Sequence, residues 1–185
     1  MDIVRSKSEL RALPLPELLK GTFLPVEWMA LVADEDPFRV SYTCMNSNCP
    51  PEMLRLAVFG VKVNAGVLSS AASNVNAPEE VIRKAFSSRE WPARNAALSS
   101  PNINWEELRD SGQRLPLSEK LILFGRKDAP EWMLRTVWAL PTQMSLDGKD
   151  DINKTLRSIA ERRLKKQGLL TPEELEEIEA REASK

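Results

Sequence analysis

Residues Asn74 to Arg83 read NVNAPEEVIR, and the chain contains five variants of this stretch. One variant has Asn104 where the others have proline, and the other four align on Pro25, Pro50, Pro78 and Pro130. The steps between successive copies are 25, 28, 26 and 26 residues. Because a fixed period between about 20 and 50 residues is typical of stacked structural repeats, the sequence predicts an all-α fold built from pairs of short helices.

Each part of the copied stretch favours the start of a helix. Proline suits the first turn, because its missing N–H group belongs to the donors that have no intrahelical partner there. Asn48, Asn76 or Asp128 stands two residues before the proline and is predicted to cap those donors. Glutamates follow, where the helix dipole favours negative charge. The next two residues are apolar, as at Val81 and Ile82, and are predicted to face the core.

A second polar pattern accompanies the copies. The tripeptide Asn-x-Asn begins at Asn46, Asn74 and Asn102, with steps of 28 residues. Asparagine caps helices and tolerates tight turns, so these residues are expected to cap the turns between helices. The alternative is a ladder of side-chain amides that is presented to a ligand.

Length and charge set the broad class. A chain of 185 residues suits one domain with a substantial core. It has 26 basic and 27 acidic residues, which argues mildly against a nucleic-acid partner, because phosphates are bound chiefly through clustered Lys and Arg. The N-terminal residues lack the apolar core of a signal peptide, and no stretch approaches the roughly 18 apolar residues of a membrane span. We therefore expect a soluble, cytoplasmic protein with no membrane partner.

The residue types leave little room for catalysis. The chain has no histidine, which excludes Ser-His-Asp and Cys-His arrangements and the commonest general base. Cys44 and Cys49 alone cannot complete a four-ligand zinc site, and we expect reduced thiols, with a local disulfide as the alternative. Carboxylate pairs such as Glu79 and Glu80 lie in first helical turns, where the dipole accounts for them. We expect no enzymatic activity, no cofactor and no metal.

The copied frame of Asn or Asp, any residue, Pro, Glu, two apolar residues and Arg resembles the leucine-rich repeat variant family and is similar to HEAT-like helical repeats. The resemblance covers roughly residues 23–140. It implies a short right-handed α-solenoid of about five helix-pair repeats, with no catalytic residues and with another macromolecule as the usual ligand. Some members of that family are linked to an iron–sulfur segment, and nothing like its cysteine-rich stretch exists in this chain.

The spacing of the copies predicts four parts. Residues 1–22 are expected to form an N-terminal helical cap, because a stack of helices leaves an apolar face bare at each end. Residues 23–140 are the predicted solenoid and 141–149 a linker. Residues 150–185 are expected to form charged C-terminal helices, the last of them with a frayed end beyond Glu179.

Arginine occupies one position of the frame in four copies, with Ala30 in its place in the first. These residues, called the arginine column below, are Arg55, Arg83, Arg109 and Arg135. Stacked helices would bring them to about 10 Å from one another. Either glutamates of adjacent turns neutralise them, or they form a basic stripe that suits an acidic protein surface or, less readily, phosphate.

Tryptophan is frequent for a chain of this length, with five residues. Either these side chains seal the packing between helices, or some are exposed anchors for a partner, since tryptophan and arginine are enriched in interface hot spots. The candidates for partner binding are Trp28, Trp91, Trp105 and Trp132.

The sequence thus favours a non-catalytic protein-binding module, an adaptor, inhibitor or immunity-type protein that docks one protein partner on its solenoid face. The alternative is a nucleic-acid-binding solenoid in which the arginine column and the basic cluster from Arg162 to Lys166 contact phosphates. An enzyme with an unrecognised site is the third hypothesis.

Overall fold

A computed structural model describes residues 4–60, 63–112, 115–139 and 152–183. These residues form helices and no strand, so the predicted all-α class is confirmed. The predicted linker at 141–149 lies outside the described residues. The helices are α1 Lys7–Ala12, α2 Leu15–Lys20, α3 Pro25–Val32, α4 Pro37–Met45, α5 Pro51–Phe59, α6 Ala65–Ser73, α7 Glu79–Phe86, α8 Trp91–Ser99, α9 Trp105–Gly112, α10 Leu117–Gly125, α11 Glu131–Trp138, α12 Ile152–Gln167 and α13 Pro172–Ala183.

The chain divides into two compact units, Met1–Glu106 (unit 1) and Glu107–Lys185 (unit 2). In unit 1, α1, α3, α5 and α7 pack one against the next, and so do α2, α4, α6 and α8. The two rows are joined by the contacts α3 with α4, α5 with α6 and α7 with α8. Small residues line the second row, such as Ala71, Ala72 and Ala97, which are 0 to 1% exposed and let these helices approach closely.

Alignment of the five copies on their prolines places the first copy one residue out of register with the others. Pro25 is the first residue of α3, whereas Pro50 and Pro78 stand just before α5 and α7. Leu24 is therefore the equivalent of Pro50, and the first step is 26 residues instead of 25. In this register Met29, and not Ala30, takes the place of the arginine column in the first copy. The fourth residue of each helix that begins a copy is buried in all five copies: Trp28, Leu54, Ile82, Leu108 and Leu134.

The expected helix caps are a second correction. No side chain caps α5, α7 or α11, and each of these helices is preceded by a proline that is itself the N-cap residue. Proline has no side-chain acceptor, and its fixed φ of about −65° holds the chain extended before the helix. Asn76 does not cap, and the Asp128 carboxylate is bound instead by Arg126, at 2.8 Å.

The asparagines use their amides to join one turn to the preceding one. Asn74 lies buried after α6, and its Nδ2 donates to the carbonyls of Cys44, at 2.7 Å, and Asn46, at 2.8 Å. Its Oδ1 accepts from the Asn76 N–H group at 2.8 Å. The Nδ2 of Asn46 makes the same kind of link, to the carbonyls of Leu18 and Gly21 at 2.8 Å. We call these contacts the amide ladder.

A second rung of the amide ladder lies two residues further along. The Nδ2 of Asn76 donates to the carbonyls of Ser47 and Cys49, and that of Asn102 to the carbonyls of Val75 and Ala77. Asn102 is therefore the counterpart of Asn76 and not of Asn74, as the 28-residue step had suggested. Four of the six amides of the Asn-x-Asn pairs thus donate to backbone carbonyls, and that of Asn104 donates to Glu79, which contradicts the alternative of a continuous ladder presented to a ligand.

In unit 2, α12 packs on α11 and α11 on α10. Leu156, Ala160 and Leu164, spaced four residues apart, form the buried stripe of α12. Gly168, with φ of +69°, ends this helix, because only glycine adopts that backbone conformation without strain. The last helix, α13, extends to Ala183, past the expected fraying point, and buries Ile178. Arg181 forms an ion pair with Glu161 of α12.

The amide ladder gives a first prediction. Asn74→Ala should lower the free energy of unfolding by about 1–3 kcal/mol, because the buried Cys44 carbonyl loses its side-chain donor and the Asn46 carbonyl keeps only the Cys49 N–H group. The matched control is Asn48→Ala, at an exposed side chain that makes no hydrogen bond with any described residue, and it should change stability by less than about 0.5 kcal/mol. Urea unfolding followed by circular dichroism measures both. Equal losses in the two variants would contradict the assigned role of the ladder.

A buried carboxylate fastens the N-terminal segment to α3. Glu27 is 3% exposed, and its two oxygens accept from the N–H groups of Leu24 and Arg5, each at 2.9 Å. Burial acts to raise the pKa of Glu27, but these two N–H donors and the charge of Arg5 outweigh it, so that the pKa lies below its ordinary 4.5.

The lowered pKa of Glu27 predicts a pH dependence. Its contribution to stability is complete above the ordinary value of 4.5 and is lost as the pH falls through the lower value of the folded protein. The free energy of unfolding should therefore fall less between pH 5 and 3 in Glu27→Gln than in the natural protein. Urea titrations at each pH test this. Parallel curves for the two proteins would show that Glu27 is not the titrating group.

Candidate functional site

Three members of the arginine column are engaged with carboxylates. Arg55 forms an ion pair with Glu80 of the next helix, α7. Arg83 pairs with Glu79 within α7, at 2.8 Å. The pKa of Glu80 is lowered, first by its own N–H group and then by Arg55. In unit 1 the predicted basic stripe is therefore largely neutralised.

In unit 2, Arg135 has the densest set of partners. Its guanidinium contacts Glu131 at 2.5 Å and Glu174 at 2.7 Å, and it donates to the Leu169 carbonyl at 2.7 Å. The hydrogen bonds of both glutamates raise the pKa of Arg135. Arg135 thus ties α11 to the start of α13. Arg109 is exposed and forms no ion pair with any residue that the structure describes.

The tryptophans divide by burial. Trp28 is 3% exposed and packs edge-on against Phe23, with ring centroids 4.9 Å apart. The prediction that Trp28 is a candidate for partner binding is therefore wrong, because its side chain is buried. Its burial follows from the register, since it fills the position of Leu54. Trp91 is 43% exposed, and the guanidinium of Arg94 lies 5.9 Å from its ring centroid. Trp105 and Trp132 are half-buried.

An exposed apolar surface lies on α3 and α5, which pack side by side. Counted from the N-cap residues Leu24 and Pro50, positions two, five, six and nine point away from the buried stripe, because successive helical residues turn by 100°. Four large apolar side chains occupy such positions and are called the apolar face: Val26 53%, Met29 52%, Leu56 44% and Phe59 52% exposed.

The apolar face lacks the charged side chains that the corresponding positions of other copies carry, or these side chains pair with residues outside it. Where α5, α7 and α9 have glutamate and arginine, α3 has Val26 and Met29. Arg55 is held by Glu80 on the α7 side. Lys84 of α7 lies 4.4 Å from the Phe59 ring centroid and donates to the Val58 carbonyl at 2.8 Å. On its α7 side the apolar face is thus bounded by Arg55, which pairs with a carboxylate, and by Lys84, which is hydrogen-bonded to a backbone carbonyl.

A cavity of about 510 Å³ adjoins the apolar face at the ends of α3 and α5. Leu56 belongs to both. The apolar part of the lining includes Val32, Ala33, Val40, Leu56, Ala57, Val63 and Val67. Asp34 and Glu35 also line it, and Asp34 is itself 3.6 Å from Arg11 and 3.9 Å from Arg39.

The sequence could have indicated the apolar face. Alignment on proline placed Met29 among the buried residues and Ala30 in the arginine column. With Leu24 aligned to Pro50, Met29 falls on the outward side of α3, where a large apolar residue has no packing role. Because alignment on Pro25 assigned Met29 to the buried side, its exposure was not predicted.

The two cysteines are buried, reduced thiols, as expected. Burial is the largest cause that raises the pKa of both. Nearby Glu52 adds to the shift at Cys49, whose pKa reaches about 12. Within the described part of the chain, no group of three or more Cys, Asp or Glu side chains is placed to hold a metal ion.

Among the described helices, none is both long enough and apolar enough to span a membrane. Comparisons with protein-family models, with curated proteins and with solved structures found no match to this chain. The structure therefore defines the class as an all-helical protein, and its exposed surface provides the evidence on function.

The raised pKa values predict slow thiol chemistry. At pH 8 the folded protein should react with a thiolate-specific reagent at least about 100-fold more slowly than the urea-unfolded chain, because few of its thiols are ionised and none is accessible. The measurement is the absorbance of released thionitrobenzoate. Rapid labelling of either cysteine in the folded protein would contradict the burial of these side chains.

Proposed function

We propose that this protein is a non-catalytic, cytoplasmic protein-binding module. In this proposal it is a short right-handed α-solenoid of about five helix-pair repeats, akin to the leucine-rich repeat variant and HEAT-like families, and it docks one protein partner. The apolar face on α3 and α5 is the observation that carries the proposal, because several large apolar side chains exposed on neighbouring helices mark an interaction site.

The composition of the apolar face suits the centre of a protein interface. Such centres are apolar and depleted in charge, while the surrounding rim is polar. Met29, Leu56 and Phe59 supply flexible and aromatic surface at the middle. Arg55, Arg83 and Lys84 lie on the α7 side, and the two arginines are held by glutamates, as rim residues can be.

The arginine column gives weaker support to a nucleic-acid partner. Binding to phosphate gains free energy from cations that are available to replace counterions. In Arg55, Arg83 and Arg135 the guanidinium groups are already in contact with carboxylates. A nucleic-acid partner would have to displace these contacts, whereas a protein partner on the apolar face would leave them in place.

Restoring the charges of the other copies on α3 tests the proposal. Val26→Glu with Met29→Arg gives α3 the residues that α7 carries as Glu80 and Arg83, so the fold should tolerate them. The affinity for the protein that co-purifies stoichiometrically with the tagged chain should fall at least about tenfold, because a charged pair replaces the centre of the interface.

The matched control is Val75→Glu, at a side chain 59% exposed in the turn before α7 and outside the apolar face. It should retain the partner. Calorimetric titration with the purified partner measures all three proteins. If nucleic acid co-purifies in place of a protein, or if both variants bind equally, the proposal is wrong.

A further inference from the structure

Unit 2 contains a groove that the amide ladder does not explain. It has a volume of about 640 Å³ and lies between the end of α10 and the α12 residues from Leu156 to Gln167. Its apolar lining is formed by Phe124, Leu156 and Ile159. Gly125 also lines it, and a Cβ atom built at this glycine would meet no heavy atom within 4 Å apart from its chain neighbours and the backbone of its own helix. The groove therefore has room for a side chain from outside.

Among the residues that the structure describes, three cations line the groove and no carboxylate does so. Lys127 and Lys166 are exposed, and neither forms an ion pair with any described residue. The nearest carboxylate in sequence to Lys127 is that of Asp128, which Arg126 holds at 2.8 Å. The two ammonium groups are therefore free to meet an anionic partner.

The third cation, Arg163, holds the groove in shape. It donates to the carbonyls of Phe124 and, at 2.7 Å, Arg126, and its guanidinium lies 5.5 Å from the Phe124 ring centroid. These bonds fix α12 against the end of α10. Arg163 keeps its positive charge while its donors are occupied, so it contributes charge to the groove from a fixed position.

Helix dipoles explain only part of this arrangement. Lys165 and Lys166 in the last turn of α12 suit the negative end of the helix dipole. The dipole does not require an open apolar space beside Lys166, nor an exposed lysine at Lys127, which lies outside α12. Together these features form one site with an apolar floor and a positive edge.

We propose that this groove is a docking site for an acidic amphipathic segment of a partner protein. An apolar side chain of the segment packs on Phe124, Leu156 and Ile159, and its carboxylates meet Lys127 and Lys166. Charge complementarity selects an acidic occupant, and the apolar floor favours a peptide over a phosphate backbone, which offers no apolar side chain to bury. The site is independent of the apolar face on α3 and α5.

Four labelled probes test the docking site on the full chain by fluorescence anisotropy. They are a 16-residue peptide with leucines on one helical face and glutamates on the other, the same peptide with serine for leucine, the same with lysine for glutamate, and a 16-nucleotide single strand of DNA. The Leu/Glu peptide should bind with a Kd of roughly 10–100 μM, at least about tenfold tighter than each of the other probes.

Two variants locate the binding. Gly125→Leu fills the open space and should abolish binding of the Leu/Glu peptide. Lys127→Gln with Lys166→Gln should weaken it about fivefold and flatten its dependence on salt. Lys154→Gln, at an exposed lysine elsewhere on α12, is the matched control and should bind as the natural protein does. Circular dichroism and thermal unfolding confirm that each variant is folded.

Tighter binding of the DNA strand would replace the proposal with a phosphate-binding site. Absence of peptide binding up to roughly 1 mM, or binding that survives Gly125→Leu, would overturn it. The variant Val26→Glu with Met29→Arg separates this outcome from the protein's proposed function, because it should keep the Leu/Glu peptide while losing the partner of the apolar face. Loss of the peptide in that variant would contradict two independent sites.

Discussion

The buried carbonyl groups of the turns are the constraint on which unit 1 depends. Each turn after a helix of the second row leaves carbonyl oxygens in the interior, where an unpaired acceptor costs about 1–3 kcal/mol. Asn46 and Asn74 supply two amide protons each to the turn before them. Asparagine fits because its oxygen accepts from its own turn while its nitrogen donates to the neighbouring one. Each turn is thereby completed only when the preceding turn is in place.

This dependence explains how such short helices hold together. The helices of unit 1 have six to nine residues, and isolated helices of that length are marginal in water. Close packing between α4, α6 and α8 is supported by serine hydroxyls as well as alanines. Ser41 donates to the Gly66 carbonyl and Ser69 to the Pro92 carbonyl, each at 3.2 Å. Lateral contacts with neighbouring helices therefore stabilise these short helices, and helix length contributes little to their stability.

The parts of the fold that the sequence predicted well are those with local causes. The prolines mark helix starts because inside a helix a proline would remove a backbone hydrogen bond and clash with the preceding turn. Gly168 ends α12, and Thr171 with Glu174 forms a capping box, and both features depend on local residue types. The roles of Asn74 and Asn76 could not be predicted, because their partners lie 27 to 30 residues earlier in the chain and a capping asparagine has the same local sequence. The apolar face was missed for another reason: proline tolerates either of two adjacent positions at a helix start, so aligning on it misplaced Met29.

The amide ladder also explains why the outward surface can differ from copy to copy. Stability is set in the turns and the buried stripe, and exposed ion pairs such as Arg83 with Glu79 contribute only about 0–1 kcal/mol each. Positions on the outward side are therefore nearly neutral for folding, and either a glutamate–arginine pair or two apolar residues can stand there. A folding requirement does not explain Val26 and Met29, since α7 folds with charges at the same positions. Where the scaffold is indifferent to a residue, an exposed apolar side chain is best explained by what it meets outside the chain.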